Sequence, residues 1–291
     1  LQILWQEINE TVTQIKVTIG CSTRNLESDI PQQTAQIIQL PVWPESKRGV
    51  PNSAFRGSLF AAIQGKQRQA FKKTLICDED NLKIYFTGWQ FDQSDLDVWE
   101  ALLHIAKDKP LGTPLEFTEN SLLKMLGRSN GKANYEWLRE TIDRLNSGLI
   151  QITHNNYSYM GNLLTEAERD EITNHAKIII NPKMKRLFDA GYTITNWDER
   201  QRIGTRKPLA LWLHGFIGSH AKLYPTKVET FHRLSGSVNA EMHGFKRQLI
   251  KALDYLKGLD LIKDFWLENN LVHIEKYPSK SQMKHLAKKK K

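Results

Sequence analysis

Cysteine and long apolar runs are scarce in this sequence of 291 residues. The two cysteines, Cys21 and Cys77, are too few for a disulfide framework or a cysteine-rich zinc site, so a reducing cytosol is the expected compartment. The longest apolar stretch, around residues 208–218, is interrupted by His214 and is far shorter than the roughly 20 residues that a membrane-spanning helix needs. Residues 1–10 carry no basic segment of the kind that opens a secretory signal. The sequence therefore predicts a cytoplasmic protein that does not enter a membrane.

Several catalytic motifs are also missing. No P-loop, H-E-x-x-H helix or H-x-H pair occurs. An acidic cluster, Asp92, Asp95, Asp97 and Glu100, has enough carboxylates to hold magnesium ions for nuclease chemistry. Ser94 to Asp97 has the spacing of a capping box, however, and precedes a periodic apolar run, so we predict that Ser94 begins a helix. We expect a protein that is not an enzyme and that needs no metal or cofactor.

Positive charge is concentrated in the C-terminal third. The chain holds 41 Lys and Arg and 32 Asp and Glu, a net charge of +9. Residues 1–199 contain 22 basic and 25 acidic side chains, a net of −3, whereas residues 200–291 contain 19 and 7, a net of +12. Residues 280–291 account for six of these positive charges, so the region before them is basic as well. This distribution favours a polyanionic partner. Nucleic acid is a better candidate than an anionic membrane, because no long basic amphipathic helix with an aromatic face is evident.

Two segments of the chain repeat one order of predicted elements, which is an apolar helix, a short strand, a short helix, a turn, a long helix and a hairpin. In the first segment, Ser129 or Asn130 caps the long helix. That helix runs into a strand at 149–153, whose partner is either 157–163 or 177–180.

In the second segment, the strand that follows the apolar helix is shortened. Thr226 caps the short helix, Ser237 or Asn239 caps the long helix, and strands at 261–266 and 271–276 form the hairpin. This order of elements is typical of a winged helix-turn-helix, which places its long helix in the DNA major groove.

We therefore predict an α+β fold with two tandem winged helix-turn-helix domains and small antiparallel wings. The predicted parts are an N-terminal extension (1–40), a first winged-helix domain (41–181), a basic linker or helix (182–207), a second winged-helix domain (208–277) and a basic tail (278–291).

The long helix of the second copy carries the strongest signal for DNA. At 100° per residue, the face opposite Leu249 holds cations and small residues, including His243, Arg247 and Lys251. Such a face suits a groove lined by phosphates, and the alternative is an ordinary solvent-exposed helix face. In the first copy the outward face holds acids such as Glu136, so only its N-terminal turn is expected to contact DNA. The alternative there is burial of the helix in an intramolecular or dimer interface.

The residues that we expect to contact DNA lie on the two long helices, in the turns before them or in the basic linker. They are Ser129, Asn130, Lys132, Asn134, Arg139, Arg202, Arg206, Ser237, Asn239, His243, Lys246, Arg247 and Lys251. Two such domains would read successive major-groove faces about 10 base pairs apart. The linker cations Arg200, Arg202, Arg206 and Lys207 would lie along the phosphates between them.

Five stretches of the sequence are distinctive sequence motifs. They are Leu40-Pro41-Val42-Trp43-Pro44-Glu45, Arg48-Gly49-Val50-Pro51-Asn52-Ser53, Leu59-Phe60, Asp92-Gln93-Ser94-Asp95-Leu96-Asp97-Val98-Trp99-Glu100 and Asn134-Tyr135-Glu136-Trp137-Leu138. Together they resemble the TrfA-type plasmid replication initiators over roughly residues 40–277.

The resemblance implies a bacterial plasmid protein with two winged-helix domains. Initiators of this type bind direct repeats, called iterons, as monomers at the plasmid origin. They open an adjacent AT-rich region and help to load the host replicative helicase together with the host initiator protein, and their homodimers typically block initiation. The implied partners are thus double-stranded DNA, these two host proteins and a second copy of the chain.

Two alternatives remain open at this point. The first is a winged-helix transcriptional regulator without initiator activity, which a palindromic site would favour over direct repeats. The second is an enzyme that acts on DNA, which the missing motifs disfavour.

Overall fold

The computed structural model describes residues 38–79, 82–154, 157–279, 282–284 and 287. The N-terminal extension up to residue 37, with Cys21, and most of the basic tail lie outside the described residues. No helix within the described ranges has the length and apolar character to span a bilayer.

The elements are named here in chain order. Up to the long helix of the first winged helix they are β1 (Lys47–Pro51), α1 (Asn52–Arg56), β2 (Phe60–Ala61), β3 (Ala70–Glu79), β4 (Leu82–Trp89), β5 (Phe91–Asp92), α2 (Gln93–Ala106), β6 (Leu115–Thr118), α3 (Glu119–Met125) and α4 (Lys132–Ser147). The remaining elements are β7 (Leu149–His154), β8 (Tyr157–Asn162), β9 (Leu164–Asp170), β10 (His175–Ile180), α5 (Lys185–Asp189), β11 (Tyr192–Asn196), α6 (Trp197–Ile203), α7 (Pro208–Ser219), β12 (Thr226–Lys227), α8 (Val228–Ser235), α9 (Met242–Gly258), β13 (Asp264–Glu268) and β14 (Leu271–Glu275).

Helix α2 lies at the centre of the first core. Its apolar positions Leu96 and Trp99 are fully buried, as their spacing predicts. The helix begins after Asp92, whose carboxylate accepts the N–H groups of Ser94 and Asp95, while the Asp95 carboxylate accepts the N–H of Asp92. A capping box is therefore present, but the prediction of Ser94 as the cap was wrong by two residues.

The first winged helix consists of α2, β6, α3, α4 and the hairpin β9–β10. Strand β10 pairs antiparallel with both β6 and β9, so β9–β10 is the wing. Strand β7 pairs with β4 and β8 in a separate sheet of order β3-β4-β7-β8. Of the two partners left open for this strand, the one at Tyr157–Asn162 is observed, and the hairpin β7–β8 is an insertion between the long helix and the wing.

The second winged helix consists of α7, β12, α8, α9 and the hairpin β13–β14. The short strand β12 pairs with β14, which gives a sheet of order β12-β14-β13. Phe245, Leu249, Leu253 and Leu256 on α9 are fully buried against this unit's core, as the apolar periodicity predicts. The predicted α+β fold of two tandem winged helices with small antiparallel wings is confirmed.

The first residues of three helices were predicted wrongly. The N-cap residues are Gly131 for α4, Lys227 for α8 and Glu241 for α9, and none of these caps makes a side-chain hydrogen bond. The side chains predicted as caps lie instead in the preceding turn or strand, and they are Ser129, Asn130, Thr226, Ser237 and Asn239.

Buried apolar side chains form two clusters, one from Leu40 to Trp197 and one from Ile203 to Val272. These clusters correspond to the two winged helices together with the strands that precede the first. The domain boundaries remain a prediction.

The two clusters interlock through α1 and α7. The ring of Phe55 lies so close to Gly215 that a Cβ at that position would overlap it. The indole Nε1 of Trp212 donates to the carbonyl of Gly57 at 3.1 Å. Because these contacts are buried, the two winged helices are fixed against each other and are not connected by a free tether.

The segment 182–207, predicted as a basic linker or helix, is built into this arrangement. It contains α5, β11 and α6, and β11 pairs antiparallel with β1. On α6, Arg200 is 2% exposed and donates from Nε to Asp97 at 2.5 Å and from Nη2 to the carbonyl of Gln93 at 3.0 Å. The prediction that Arg200 lies along DNA phosphates was wrong, because its guanidinium is buried against α2.

Candidate nucleic-acid interface

The turn between α8 and α9 is held by hydrogen bonds of its own side chains. Helix α8 ends at Gly236, whose φ of 63° is in the left-handed region that favours glycine. Ser237 Oγ accepts the N–H of Asn239 at 3.3 Å, and Asn239 Oδ1 accepts the N–H of Glu241 at 3.1 Å. A side chain at Gly244 would meet the Asn239 amide at 2.9 Å. Ser237 and Asn239 therefore shape the turn that presents α9.

The outward face of α9 is cationic and solvent-exposed. His243, Arg247 and Lys251 are exposed, and Lys246 is half-buried near Glu229. Among the described residues, none of these three cations (Lys246, Arg247, Lys251) forms an ion pair within 4 Å. Exposed cations without a carboxylate partner are the side chains that phosphates attract most readily.

A cleft of about 470 Å³ lies beside this helix. Four of the predicted DNA-contacting residues line it, namely Arg206, Ser237, Asn239 and Lys251. The cleft joins the segment before α7 to the turn and to the middle of α9. These residues, far apart in the sequence, are thus brought to one side of the second winged helix.

The cations before α7 differ in how they are held. Arg202 Nη2 donates to the carbonyl of Leu259 at 3.0 Å, which fastens α6 to the end of α9. The ammonium of Lys207 lies 5.0 Å from the centre of the Tyr255 ring, and Arg206 is exposed. Arg206 is therefore better placed than Arg202 to reach a bound anion.

In the first winged helix, the turn before α4 is closed by Asn134. Its amide donates to the carbonyl of Ser129 at 2.9 Å and to its hydroxyl at 3.0 Å. Asn130 is exposed, and the Lys132 ammonium lies 3.8 Å from Glu136 with its side chain 91% exposed. Ser129 and Asn134 are thus engaged in the turn, while Asn130 and Lys132 point to solvent.

The same turn, Gly127-Arg128-Ser129-Asn130-Gly131, contains a G-x-S-x-G pattern that the sequence analysis overlooked. In nucleophile elbows this pattern lies between a strand and a helix. Here it follows helix α3, and Ser129 bonds only to Asn134 within the described residues, so the context of a nucleophile is lacking.

Arg139 on α4 is committed to the protein itself. It donates from Nε and Nη2 to the buried carboxylate of Glu119, at 2.9 and 2.8 Å, and from Nη2 to Asn174 at 2.9 Å. The hydrogen bonds to Glu119 and the charge of its carboxylate raise the pKa of the Arg139 guanidinium. Arg139 therefore fastens α4 to α3 and to the wing, and only its Nη1 is left for a further partner.

The surface around α4 is acidic. Exposed carboxylates lie on α4 and on the wing, and they are Glu136, Glu140, Asp143, Glu166, Glu168, Asp170 and Glu171. The charge of the wing went unnoticed because the sequence analysis did not fix where the wing begins. The first winged helix thus presents carboxylates where the second presents cations.

Further residues, which no sequence pattern predicted, extend the surface of the second winged helix around the cleft. Gln64 and Gln67, which precede β3, line the cleft together with Gln248 of α9. On the wing, the indole of Trp266 is 43% exposed and stacks on His273 at 4.8 Å. Of these residues, only Gln248 could have been predicted from the helical spacing of α9, because it lies next to Arg247 in that helix.

The acidic cluster at the start of α2 is neutralised by arginines. The buried carboxylate of Asp95 pairs with Arg68 at 2.9 Å and with Arg144 at 2.8 Å. Glu100 lies 3.6 Å from Arg200. No group of carboxylates, histidines or cysteines within the described ranges has the arrangement of a metal site. Ion pairs of Asp95 and Asp97 thus tie α2 to α4, to α6 and to the segment before β3.

Comparison with known proteins places this architecture in a family. A family model described as TrfA protein matches residues 5–276. The chain belongs to the TrfA family. The plasmid replication initiator protein TrfA of Escherichia coli is 25% identical to it over 262 residues, which is 87% of this chain and 68% of that protein.

A solved structure shows the same fold as this TrfA-family chain. The crystal structure of domains 2 and 3 of RctB superposes with a TM-score of 0.52 at 14% identity, over 78% of this chain and 99% of that one. A weaker match is the Pi initiator protein in complex with iteron DNA, with a TM-score of 0.46 at 11% identity over 63% of this chain and 94% of that one.

Proposed function

We propose that this chain is a plasmid replication initiator that binds direct repeats of double-stranded DNA at its origin. The observation that carries the proposal is the exposed cationic face of α9, presented by a rigid turn in a member of the TrfA family. An α-helix fits the major groove of B-DNA, and its first turns reach the edges of the bases.

Two roles are assigned within the second winged helix. Arg247, exposed near the start of α9, reads a base, since a guanidinium donates two parallel hydrogen bonds to guanine. Lys251 and Arg206, which line the cleft, contact phosphates and fix the orientation of the helix.

The first winged helix contributes less to affinity. The carboxylates on α4 and its wing repel phosphates, so contact is limited to the exposed Asn130 and Lys132. Because α1 and α7 interlock, the two winged helices approach one duplex as a single body, which requires a repeat of fixed length.

Further steps rest on the family alone. We propose that repeat binding leads to opening of an adjacent AT-rich region and to loading of the host replicative helicase with the host initiator protein. A homodimer would be the inactive form. We also propose that the protein acts in the bacterial cytosol. Its role there is DNA binding without catalysis, and it uses no cofactor and has no membrane partner.

The first test uses the full chain on duplexes selected from a random pool. A selected duplex and a shuffled duplex of equal length are titrated with wild type, with Arg247→Ala and with Lys109→Ala. Lys109 is an exposed cation outside the proposed interface and serves as the matched control.

We expect wild type and Lys109→Ala to prefer the selected duplex equally, whereas Arg247→Ala loses about 1–3 kcal/mol on that duplex. Equal loss by both variants would contradict the assignment of α9. Selection of palindromes bound by dimers would instead indicate a transcriptional regulator.

A further inference from the structure

A second surface of the molecule has the form of a protein-docking site. It lies at β11, on the cleft between the two apolar clusters, and it involves none of the residues assigned to DNA. Strands β1 and β11 form a two-stranded antiparallel ribbon. Two hydrogen bonds at its ends, from Trp197 N to Ser46 O and from Asn52 N to Gly191 O, determine which residue pairs along it are hydrogen-bonded.

Hydrogen-bonded pairs alternate along an antiparallel ribbon. On β11, the residues whose main-chain groups bond to β1 are therefore Thr193 and Thr195. The main-chain N–H and C=O groups of Tyr192, Ile194 and Asn196 point to the opposite edge. Within the described part of the chain, that edge pairs with no other strand.

The free edge borders a cleft of about 1110 Å³. Three large apolar side chains that are exposed converge on it, Tyr192 at 41%, Ile194 at 45% and Tyr277 at 54%. Across the cleft, Ile217 and Leu261 provide an apolar wall. Contiguous exposed apolar side chains of this kind mark interaction sites rather than ordinary surface.

The charge of the cleft favours an acidic occupant. Lys47 lines it and forms no ion pair within 4 Å among the described residues. Lys276 donates to the carbonyls of Ile217 at 2.8 Å and His220 at 2.7 Å, which leaves one of its three N–H groups without a partner among the described residues. The carboxylate lining the cleft, that of Glu199, is already bound to His214 at 3.1 Å.

We propose that the free edge of β11 and its cleft bind an extended, acidic segment of a partner protein, which adds to the ribbon as a third strand. Main-chain hydrogen bonds to Ile194 hold the segment. Its apolar side chains face Ile217 and Leu261, and its acidic side chains face Lys47 and Lys276. Five residues of β11 span about 17 Å, so a segment of similar length occupies the edge.

The probe is a fluorescent nine-residue peptide in which Leu and Glu alternate, with a Leu–Lys peptide for comparison. Fluorescence anisotropy is measured on the full chain, on Ile194→Pro and on Ile194→Val. Proline removes an N–H that β1 does not use, and valine keeps it, so the pair separates loss of the edge donor from loss of apolar contact. Lys47→Gln removes the unpaired charge.

We expect saturable binding of the Leu–Glu peptide and at least about tenfold weaker binding of the Leu–Lys peptide. Ile194→Pro should weaken binding by about tenfold or more, Ile194→Val should resemble wild type, and Lys47→Gln should lie between them. The affinity of all variants for the selected DNA duplex should be unchanged, which separates this proposal from the proposed function.

Several outcomes would overturn the proposal. No saturable binding up to about 1 mM peptide, or equal binding of both peptides, would do so. Displacement of the peptide by single-stranded oligothymidylate would assign the edge to nucleic acid. A wild-type dimer that Ile194→Pro converts to a monomer in sedimentation would assign it to a second copy of the chain.

Discussion

The buried carboxylate of Glu100 makes the stability of the protein depend on pH. Glu100 is fully buried on α2, and neither of its oxygens accepts a hydrogen bond from the described residues. Burial raises its pKa from 4.5 to about 7, although Arg200 lies 3.6 Å away. Between pH 4.5 and about 7, the folded protein therefore holds a proton on Glu100 that the unfolded chain releases.

The sign and size of the effect follow from this difference. Because the folded pKa is above the unfolded one, the contribution of Glu100 to stability is fully present below pH 4.5 and is lost as the pH rises through about 7. At 1.36 kcal/mol per pKa unit, the loss is about 3 kcal/mol. In the variant Glu100→Gln, the glutamine side chain has the same shape as glutamate but does not titrate. We expect it to gain up to about 3 kcal/mol over wild type between pH 5 and pH 8, less the attraction that Arg200 loses.

The assay is urea unfolding of wild type and Glu100→Gln at several pH values. Histidines titrate in the same range, so the difference between variant and wild type is the quantity to compare. Asp97→Asn is the control, since Asp97 bonds Arg200 directly and its loss should destabilise the fold. If the variant and wild type show the same pH dependence, Glu100 does not bind a proton in this range and the reasoning fails.

Three further predictions follow from the fold and the interface. Gly215→Ala should cost about 1–3 kcal/mol because its Cβ would overlap the Phe55 ring, whereas Gly218→Ala on the same helix meets only Thr193 at 4.0 Å and should leave thermal stability nearly unchanged. Equal melting temperatures of these two variants would contradict the interlock of α1 and α7. Asp95→Asn should cost about 3–5 kcal/mol in urea unfolding because it leaves Arg68 and Arg144 without their shared carboxylate, well above the roughly 1 kcal/mol of a lost cap. Its DNA affinity should remain that of wild type while it is folded, and a loss of magnesium-dependent DNA cleavage in this variant would contradict the structural role. The affinity for duplex DNA should fall with salt at a log–log slope of about −3 if Arg206, Lys246 and Lys251 each neutralise one phosphate, and a flat slope would exclude this interface.

The order of the elements was predictable from the sequence because it depends on local patterns. The apolar spacing of Leu96 and Trp99, or of Leu249 and Leu253, positions a helix wherever it packs. Thr118, a residue type that favours the N-cap, does cap α3, and its hydroxyl accepts the N–H of Ser121 at 3.1 Å. The other caps were missed, because several polar residues precede each long helix and only the backbone conformation decides among them.

The partners of strands and cations were not predictable in the same way. Strand β7 joins β4, which comes more than 60 residues earlier, and a strand's own sequence does not specify that choice. The sequence does not show that Arg139 and Arg200 have carboxylate partners. Their carboxylates, on α3 and α2, come from distant positions that only the tertiary fold brings close. The exposed cations of α9 were predictable because the face opposite a buried stripe is solvent-exposed whatever its partner.

The most direct test of the central claim, that α9 reads the DNA repeat, is a base-by-base specificity profile. Each base pair of the selected duplex is substituted in turn, and the affinity of wild type, Arg247→Ala and Lys251→Ala is measured at one salt concentration. We predict that wild type loses about 1–3 kcal/mol at one G·C pair and that Arg247→Ala no longer distinguishes that pair. Lys251→Ala should weaken every duplex alike and keep the wild-type profile. A profile for Arg247→Ala that matches wild type at every position would show that another part of the chain reads the repeat.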